Sequence, residues 1–217
     1  MTTNILEVLS ISTALIASGG IASFSLFDIP ILKSQPASRS LPMVRWLFSR
    51  GSHIFPTAGI LSSAGFCFLS YYSIPSSSRT SLGSILSAAS QGKSEYYALA
   101  ALLCISIAPI TSGLMIPTNF TLIAKNEELG GSRSAKSAEY REEKGLEART
   151  ADDSVDSKQD VSQWRDLSGP QEKTQRESTE EEDKEVRQLL EKFAKLNMLR
   201  AVAIAAGGMV GLMGALA

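Results

Sequence analysis

An all-α integral membrane bundle of four helices is the fold class that this 217-residue sequence predicts, on three observations. Residues 8–27, 54–78, 96–124 and 201–217 carry no charge. The first three stretches are each long enough to cross roughly 30 Å of hydrocarbon at about 1.5 Å of rise per residue, and far too long for barrel strands. Backbone amides must be paired internally in lipid, so stretches of this length should be helices. The third observation is where the charges go. Residues 125–195 hold 14 Lys/Arg and 19 Asp/Glu, 33 of the 43 charges, leaving a net of −5 there and +4 elsewhere. The whole-chain values, 20% charged and a net charge of −1, hide this split.

The first helix follows MTTNILEVLS, which has no Lys or Arg ahead of its apolar run and carries Glu7. It lacks the basic start of a secretory signal and is expected to stay attached. GGIASFSLFDIP ends it at Asp28 and Pro30, and RWLFSRGSHIFP opens the second helix with Trp46, Arg50, Gly51, His53 and Pro56. MIPTNFTL closes the third with Pro117 and Asn119. Cys67 and Cys104 fall inside the second and third helices and are expected to be buried free thiols. Domains are accordingly residues 1–124 with the first three helices, 125–183 as a loop, and 184–217 with the fourth helix and its approach.

The fourth span has only 17 uncharged residues, about 26 Å as a helix. Its approach supplies the rest. In EVRQLLEKFAKLNMLR, residues Val186, Leu189, Leu190, Phe193, Leu196 and Leu199 recur at helical spacing, so an amphipathic helix should run straight into the span, with Arg200 snorkelling at its mouth. Gly207 and Gly211 permit close helix contact, expected inside the same chain rather than across a dimer seam. The segment 125–183 has few apolar residues apart from Leu146, Val155, Val161, Trp164 and Leu167, and by composition it reads as a disordered charged loop.

Lys33, Arg39, Arg45 and Arg50 lie in the first connection, and six Lys/Arg flank the third; the second offers only Arg79 and Lys93. The positive-inside bias places the long loop in the cytosol and both termini on the lumenal side of an endomembrane. An up-down-up-down chain then gathers Asp28, Trp46, Arg50, His53, Asn119, Asn197 and Arg200 at one membrane face. The opposite face, YYSIPSSSRTSLGSILSAAS, reads as a turn. His53 is the only histidine, which excludes a multi-histidine metal site; it suits a proton-transfer role or a polar interfacial one. Asn119 and Asn197 are costly near bundle depth unless paired. No P-loop, dinucleotide fingerprint, HExxH, GxSxG or CxxC appears. No metal or organic cofactor and no nucleic-acid partner is expected.

The elements GGIASFSLFDIP, RWLFSRGSHIFP, MIPTNFTL and LLEKFAKLNMLR resemble the anthrone oxygenase-like integral membrane family of fungal polyketide pathways, over residues 10–60, 105–125 and 186–217. Pro117 and Asn119 match its P-x-N-x-x-L element; Leu196, Asn197 and Arg200 match W-x-x-L-N-x-x-R, with Phe193 where the family has tryptophan. The resemblance implies oxidation of an anthrone to an anthraquinone by molecular oxygen as co-substrate. An anthrone methylene is acidified because its carbanion delocalises onto the carbonyl oxygen, so one base and donors to that oxygen are required. On this reading His53 is the base and Asp28 its orienter or the alternative base. Arg50, Asn119, Asn197 and Arg200 stabilise the enolate oxygen, and Trp46 and Phe193 stack on the substrate rings. Expected partners are a lipophilic polyketide, the bilayer, and soluble pathway enzymes or a second copy. Two other classes stay open: a non-enzymatic scaffold that recruits a soluble partner through its charged loop, and a small carrier of lipophilic metabolites.

Overall fold

The computed structural model describes residues 2–217. Four helical stretches are long and apolar enough to cross a membrane: Thr3–Lys33, Ala37–Ser73, Gly92–Glu128 and Glu180–Leu216. Each of the last three has 37 residues, about 55 Å at 1.5 Å per residue, so it exceeds the hydrocarbon thickness and extends beyond it. This moves one boundary the sequence set. The first connection shrinks to the turn around Ser34–Pro36, and Arg39, Arg45 and Arg50 lie within a helix rather than in a loop. Helical backbone needs no lipid to satisfy its amides, so the helix runs on through the charged residues.

Two spans are interrupted in the same way. The first comprises α1 (Thr2–Ser23), a π turn (Phe24–Asp28) and α2 (Ile29–Lys33); α3 is Ala37–Ser73. The second connection holds a 3₁₀ turn (Ser76–Ser78) and α4 (Leu82–Ala89), capped by Ser81 Oγ accepting from Ser84 N. The third span comprises α5 (Gly92–Ile105), α6 (Ile107–Ile110), a π turn (Thr111–Met115) and α7 (Ile116–Glu128). Each π turn is followed by Ile-Pro, at Pro30 and at Pro117. A proline nitrogen cannot donate to the carbonyl four residues back, and both of those carbonyls, Leu26 and Gly113, lie inside the π turns. The missing donor explains where the ladder widens.

The chain divides into two compact units: Met1–Ser23 with Ile54–Thr111 and Asn197–Ala217, and Phe24–His53 with Ser112–Leu196. In the first, Ile11, Ile21, Phe66, Leu69, Tyr97, Cys104 and Ile204 form the buried core. Small residues set its spacing. A Cβ at Gly207 would lie 2.7 Å from Cys104 Sγ and 3.1 Å from the Ala100 carbonyl oxygen, so the GxxxG element packs within the chain as expected. Ser18 Oγ donates to Ala201 O (2.8 Å) and Ser63 Oγ to Ala101 O (2.9 Å). Glu7 accepts from Tyr97 Oη at 2.5 Å and pairs with Lys93 at 3.4 Å, which accounts for an acid in the first apolar run. Cys104 is buried, but Cys67 is exposed, correcting the expectation for that thiol.

The second unit overturns the expected disorder of residues 125–183. That segment contains α8 (Ala135–Glu143), α9 (Ala151–Val155) and ordered turns, and it leads into α10 (Glu180–Leu216), which runs unbroken from the amphipathic approach through the fourth span. Phe24, Ile29, Leu41, Met115, Leu122, Leu190 and Phe193 form the apolar core of this unit. The segment is held by charge instead. Glu127, 1% exposed, bridges Arg141 (3.0 Å) and Arg149 (2.8 Å). The Asp160 carboxylate, its side chain wholly buried, accepts from Arg149 at 2.9 Å and lies 3.9 Å from Arg133. Asp166 accepts from Ser134 Oγ, from Ser168 N (3.0 Å) and from Ser168 Oγ (2.7 Å). Apolar area alone would leave this segment disordered; charge-assisted hydrogen bonds in a shielded site offset the ordering entropy here. The segment also satisfies the start of α3: Ala37 N donates to Asp183 Oδ1 (2.6 Å), Ser38 N to Ser178 Oγ (3.1 Å), and Arg45 Nη2 to Ser154 O (2.7 Å).

Three outcomes are expected. Gly207→Ala should lower stability in detergent by about 1–3 kcal/mol, since the Ala100 backbone cannot move aside, whereas Gly19→Ala, with nothing within 4 Å, should not; thermal unfolding distinguishes them. Arg149→Met removes one cationic partner from each of two buried carboxylates, leaving Glu127 with Arg141 and Asp160 with Arg133, and should cost up to about 3–5 kcal/mol, read as rapid proteolysis of residues 130–180 that the parent resists. Burial raises the Asp166 pKa, but the hydrogen bonds from Ser134 and Ser168 and the Arg50 charge outweigh it and hold it below the ordinary 3.8. A group lowered on folding stabilises above its unfolded pKa and loses that contribution as pH falls through the folded one. Proteolysis of the segment should therefore rise only below about pH 4 and be flat in pH from there to neutrality in the Asp166 contribution.

Candidate functional site

Trp46, Arg50 and His53 follow one another on α3 at the spacing that places side chains on a single helical stripe. The segment 163–168 lies over that stripe. Trp46 Nε1 donates to Ser168 O at 2.9 Å. The Arg50 guanidinium stands 5.4 Å from the Trp46 ring centroid and donates to Ser168 O (3.3 Å) and Gln163 O (3.4 Å). The His53 ring meets the Trp164 indole with centroids 4.0 Å apart and planes inclined at 34°. Asp166 places a carboxylate near Arg50, and its own pKa is lowered in part by that charge. One imidazole, one guanidinium and two indoles are thus assembled from two turns of one helix and the segment over it. Trp164, Asp166 and Ser168 were not singled out from the sequence. The only signal there was an indole and a leucine in a run otherwise almost devoid of apolar residues.

The other site residues fall elsewhere. Asp28 is half-buried at the end of the first π turn, and Asn119 lies one turn into α7, just past the second. Thr118 Oγ1 and Asn119 Oδ1 are buried and lack a hydrogen-bond partner among the described residues. Buried polar atoms are rarely left so, and a ligand hydroxyl is one group that could complete Asn119. Phe193 is buried, edge-on to Phe24 (5.2 Å, 64°) and tilted on Phe48 (5.0 Å, 47°). Its ring serves an aromatic cluster of the second unit.

In the first unit Asn197 Nδ2 donates to Ile21 O at 3.0 Å, and Asn197 Oδ1 accepts from Arg200 Nη1 at 3.3 Å. Both residues are buried. One N–H of Asn197 Nδ2 thus donates to a backbone carbonyl, tying α10 to α1, while its oxygen orients the Arg200 guanidinium. Phe193, Asn197 and Arg200 share one stripe of α10 by their spacing. Among the described residues no group of three or more His, Cys, Asp or Glu side chains could hold a metal ion.

Comparison with known proteins adds one finding of substance. Searches of curated proteins and of solved structures found no match. A family model described as anthrone oxygenase matches residues 45–210, a span that contains Trp46, Arg50, His53, Asn119, Phe193, Asn197 and Arg200 and covers most of the sequence. With four helices able to cross a membrane and a matched region that runs from the second helix into the fourth, the chain belongs to the anthrone oxygenase family.

Proposed function

We propose that this protein oxidises the methylene of an anthrone-type aromatic polyketide to a carbonyl, consuming molecular oxygen and using no metal or organic cofactor. Family membership carries the reaction class. The stripe Trp46, Arg50 and His53 carries the choice of residues. His53 removes a methylene proton. An imidazole accepts a proton in the plane of its ring, so the contact of its face with Trp164 does not compete with this role. The Arg50 guanidinium stabilises the oxygen onto which the negative charge delocalises, and the Trp46 indole stacks against the flat rings. The electron-rich anion transfers one electron to oxygen, and the two radicals combine as a carbon-bound hydroperoxide. Loss of the second methylene proton and cleavage of the O–O bond then give the carbonyl and water. One methylene and one oxygen molecule thus become one carbonyl and one water, and no external reductant is needed. Asn119 accepts from a substrate hydroxyl through its buried oxygen. Asp28 is the alternative base, and Asn197 acts as a positioning residue for Arg200.

The charged segment is placed on the cytosolic side of an endomembrane, with both termini lumenal, on the strength of the Lys/Arg asymmetry. Soluble pathway enzymes that deliver the polyketide would then meet that side. Acceptor sites for N-glycosylation added at either terminus should be modified in a microsomal membrane, and modification of a site placed in residues 135–160 instead would reverse this orientation.

Aerobic turnover of an anthrone by purified, chelator-treated protein, followed by oxygen uptake against a heat-killed control, tests the reaction. His53→Ala should lower turnover by roughly 10²–10⁴-fold, the range for loss of a positioned general base, with membrane insertion unchanged. Near-normal turnover in His53→Ala together with its loss in Asp28→Asn would move the base to the aspartate. Asn197→Ala should lose stability before it loses chemistry, because it leaves the buried Ile21 carbonyl without that donor; the cost is about 1–3 kcal/mol, read by thermal unfolding.

A further inference from the structure

Within the polar segment, two large apolar side chains stand mostly uncovered. Trp164 is 73% exposed and Leu167 is 93% exposed; Arg165 between them is exposed too. This outward display is built in. Asp166 is buried and accepts hydrogen bonds from Ser134 and Ser168, while Ser168 O accepts from Trp46 and Arg50, and Gln163 O from Arg50. With residue 166 turned in and both ends of the turn fastened, the side chains at 164 and 167 are held outward. Leaving an indole and a leucine in water forgoes about 1.5–3 kcal/mol for each that could be buried, so a rigid turn that presents both implies a cover.

The fastening points identify that cover. Positions 46, 50 and 53 belong to Ala37–Ser73, one of the four helices able to cross a bilayer. His53, the residue in ring contact with Trp164, directly precedes the uncharged run 54–78, whose exposed Ile54, Ile60 and Leu61 need lipid around them. The turn is therefore fixed to the helix at the position where the hydrocarbon-facing surface begins. Trp and Arg at that level are residue types that the membrane–water interface favours, and Leu suits the acyl chains just beneath it.

We propose that the turn Gln163–Ser168 is a membrane-interface anchor: Trp164 and Leu167 sit among the headgroups and upper acyl chains of the bilayer that the protein spans, and Arg165 meets lipid phosphate. The proposal does not depend on the oxidation chemistry.

Tryptophan occurs at positions 46 and 164 only, so the difference in emission between the parent and Trp164→Phe isolates the anchor. The measurement uses the full-length protein in phosphatidylcholine nanodiscs. The Trp164 signal should be quenched by phosphatidylcholine brominated near the head end of the acyl chain, less by bromine near the chain terminus, and shielded from acrylamide. As an independent reporter, Leu167→Trp in the Trp164→Phe background should behave alike, since position 167 touches almost nothing that a substitution could disturb. Emission quenched by acrylamide as readily as free tryptophan and indifferent to brominated lipid would overturn the anchor. Resistance to both quenchers would overturn it as well, in favour of a protein surface, such as a second copy of this chain, over the turn.

Discussion

Arg149 holds two buried carboxylates at once, Glu127 at the end of α7 and Asp160 in the turn beyond α9, and the ordered state of the charged segment depends on that bridge. Any one of these groups alone would be expensive to remove from water. Together with Arg141 and Arg133 they form a network in which each charge has an opposite neighbour and hydrogen-bond partners, so attraction in a poorly screened site offsets desolvation. The apolar helices do not require this network to form. The turn 163–168 does, because it follows Asp160 and Val161, and Val161 is itself held by Arg133.

The candidate chemistry is consequently arranged by two kinds of force. Helical periodicity alone aligns Trp46, Arg50 and His53 along α3. What stands opposite them is decided by the polar segment, through the Ser168 and Gln163 carbonyls and the Trp164 ring. The Arg50 guanidinium is held by neutral carbonyls, with the Asp166 carboxylate near enough to feel its charge. The segment that composition marks as a solvated insertion thus forms one wall of the candidate site.

Two candidate residues lie near the proline-linked π turns: Asp28 is the last residue of the first turn, just before Ile29-Pro30, and Asn119 stands past the second, after Pro117 and Thr118. π turns recur at functional sites because the widened ladder redirects side chains and leaves backbone groups for other partners. The buried, unpartnered Thr118 and Asn119 oxygens after the second turn are in keeping with that tendency.

From the sequence by itself the four spans, the helical class, the continuous approach through Phe193 to Arg200 and the intrachain packing of Gly207 were legible. Each follows from local pattern or from the demand of lipid that backbone amides be paired. The stripe at positions 46, 50 and 53 was legible only as a cluster of unusual residues at the mouth of the second helix, because Arg50 reads as part of a connection until the helix runs through it. The order of residues 125–183 was not, because Glu127, Arg149 and Asp160 become partners only when the chain folds back, and composition cannot tell a paired charge from a solvated one. Nor could the sequence assign neighbours to its candidate site residues. Asn197 faces the Ile21 carbonyl and Phe193 faces Phe24 and Phe48 through contacts between distant helices, so which groups each side chain meets was decided only by tertiary packing.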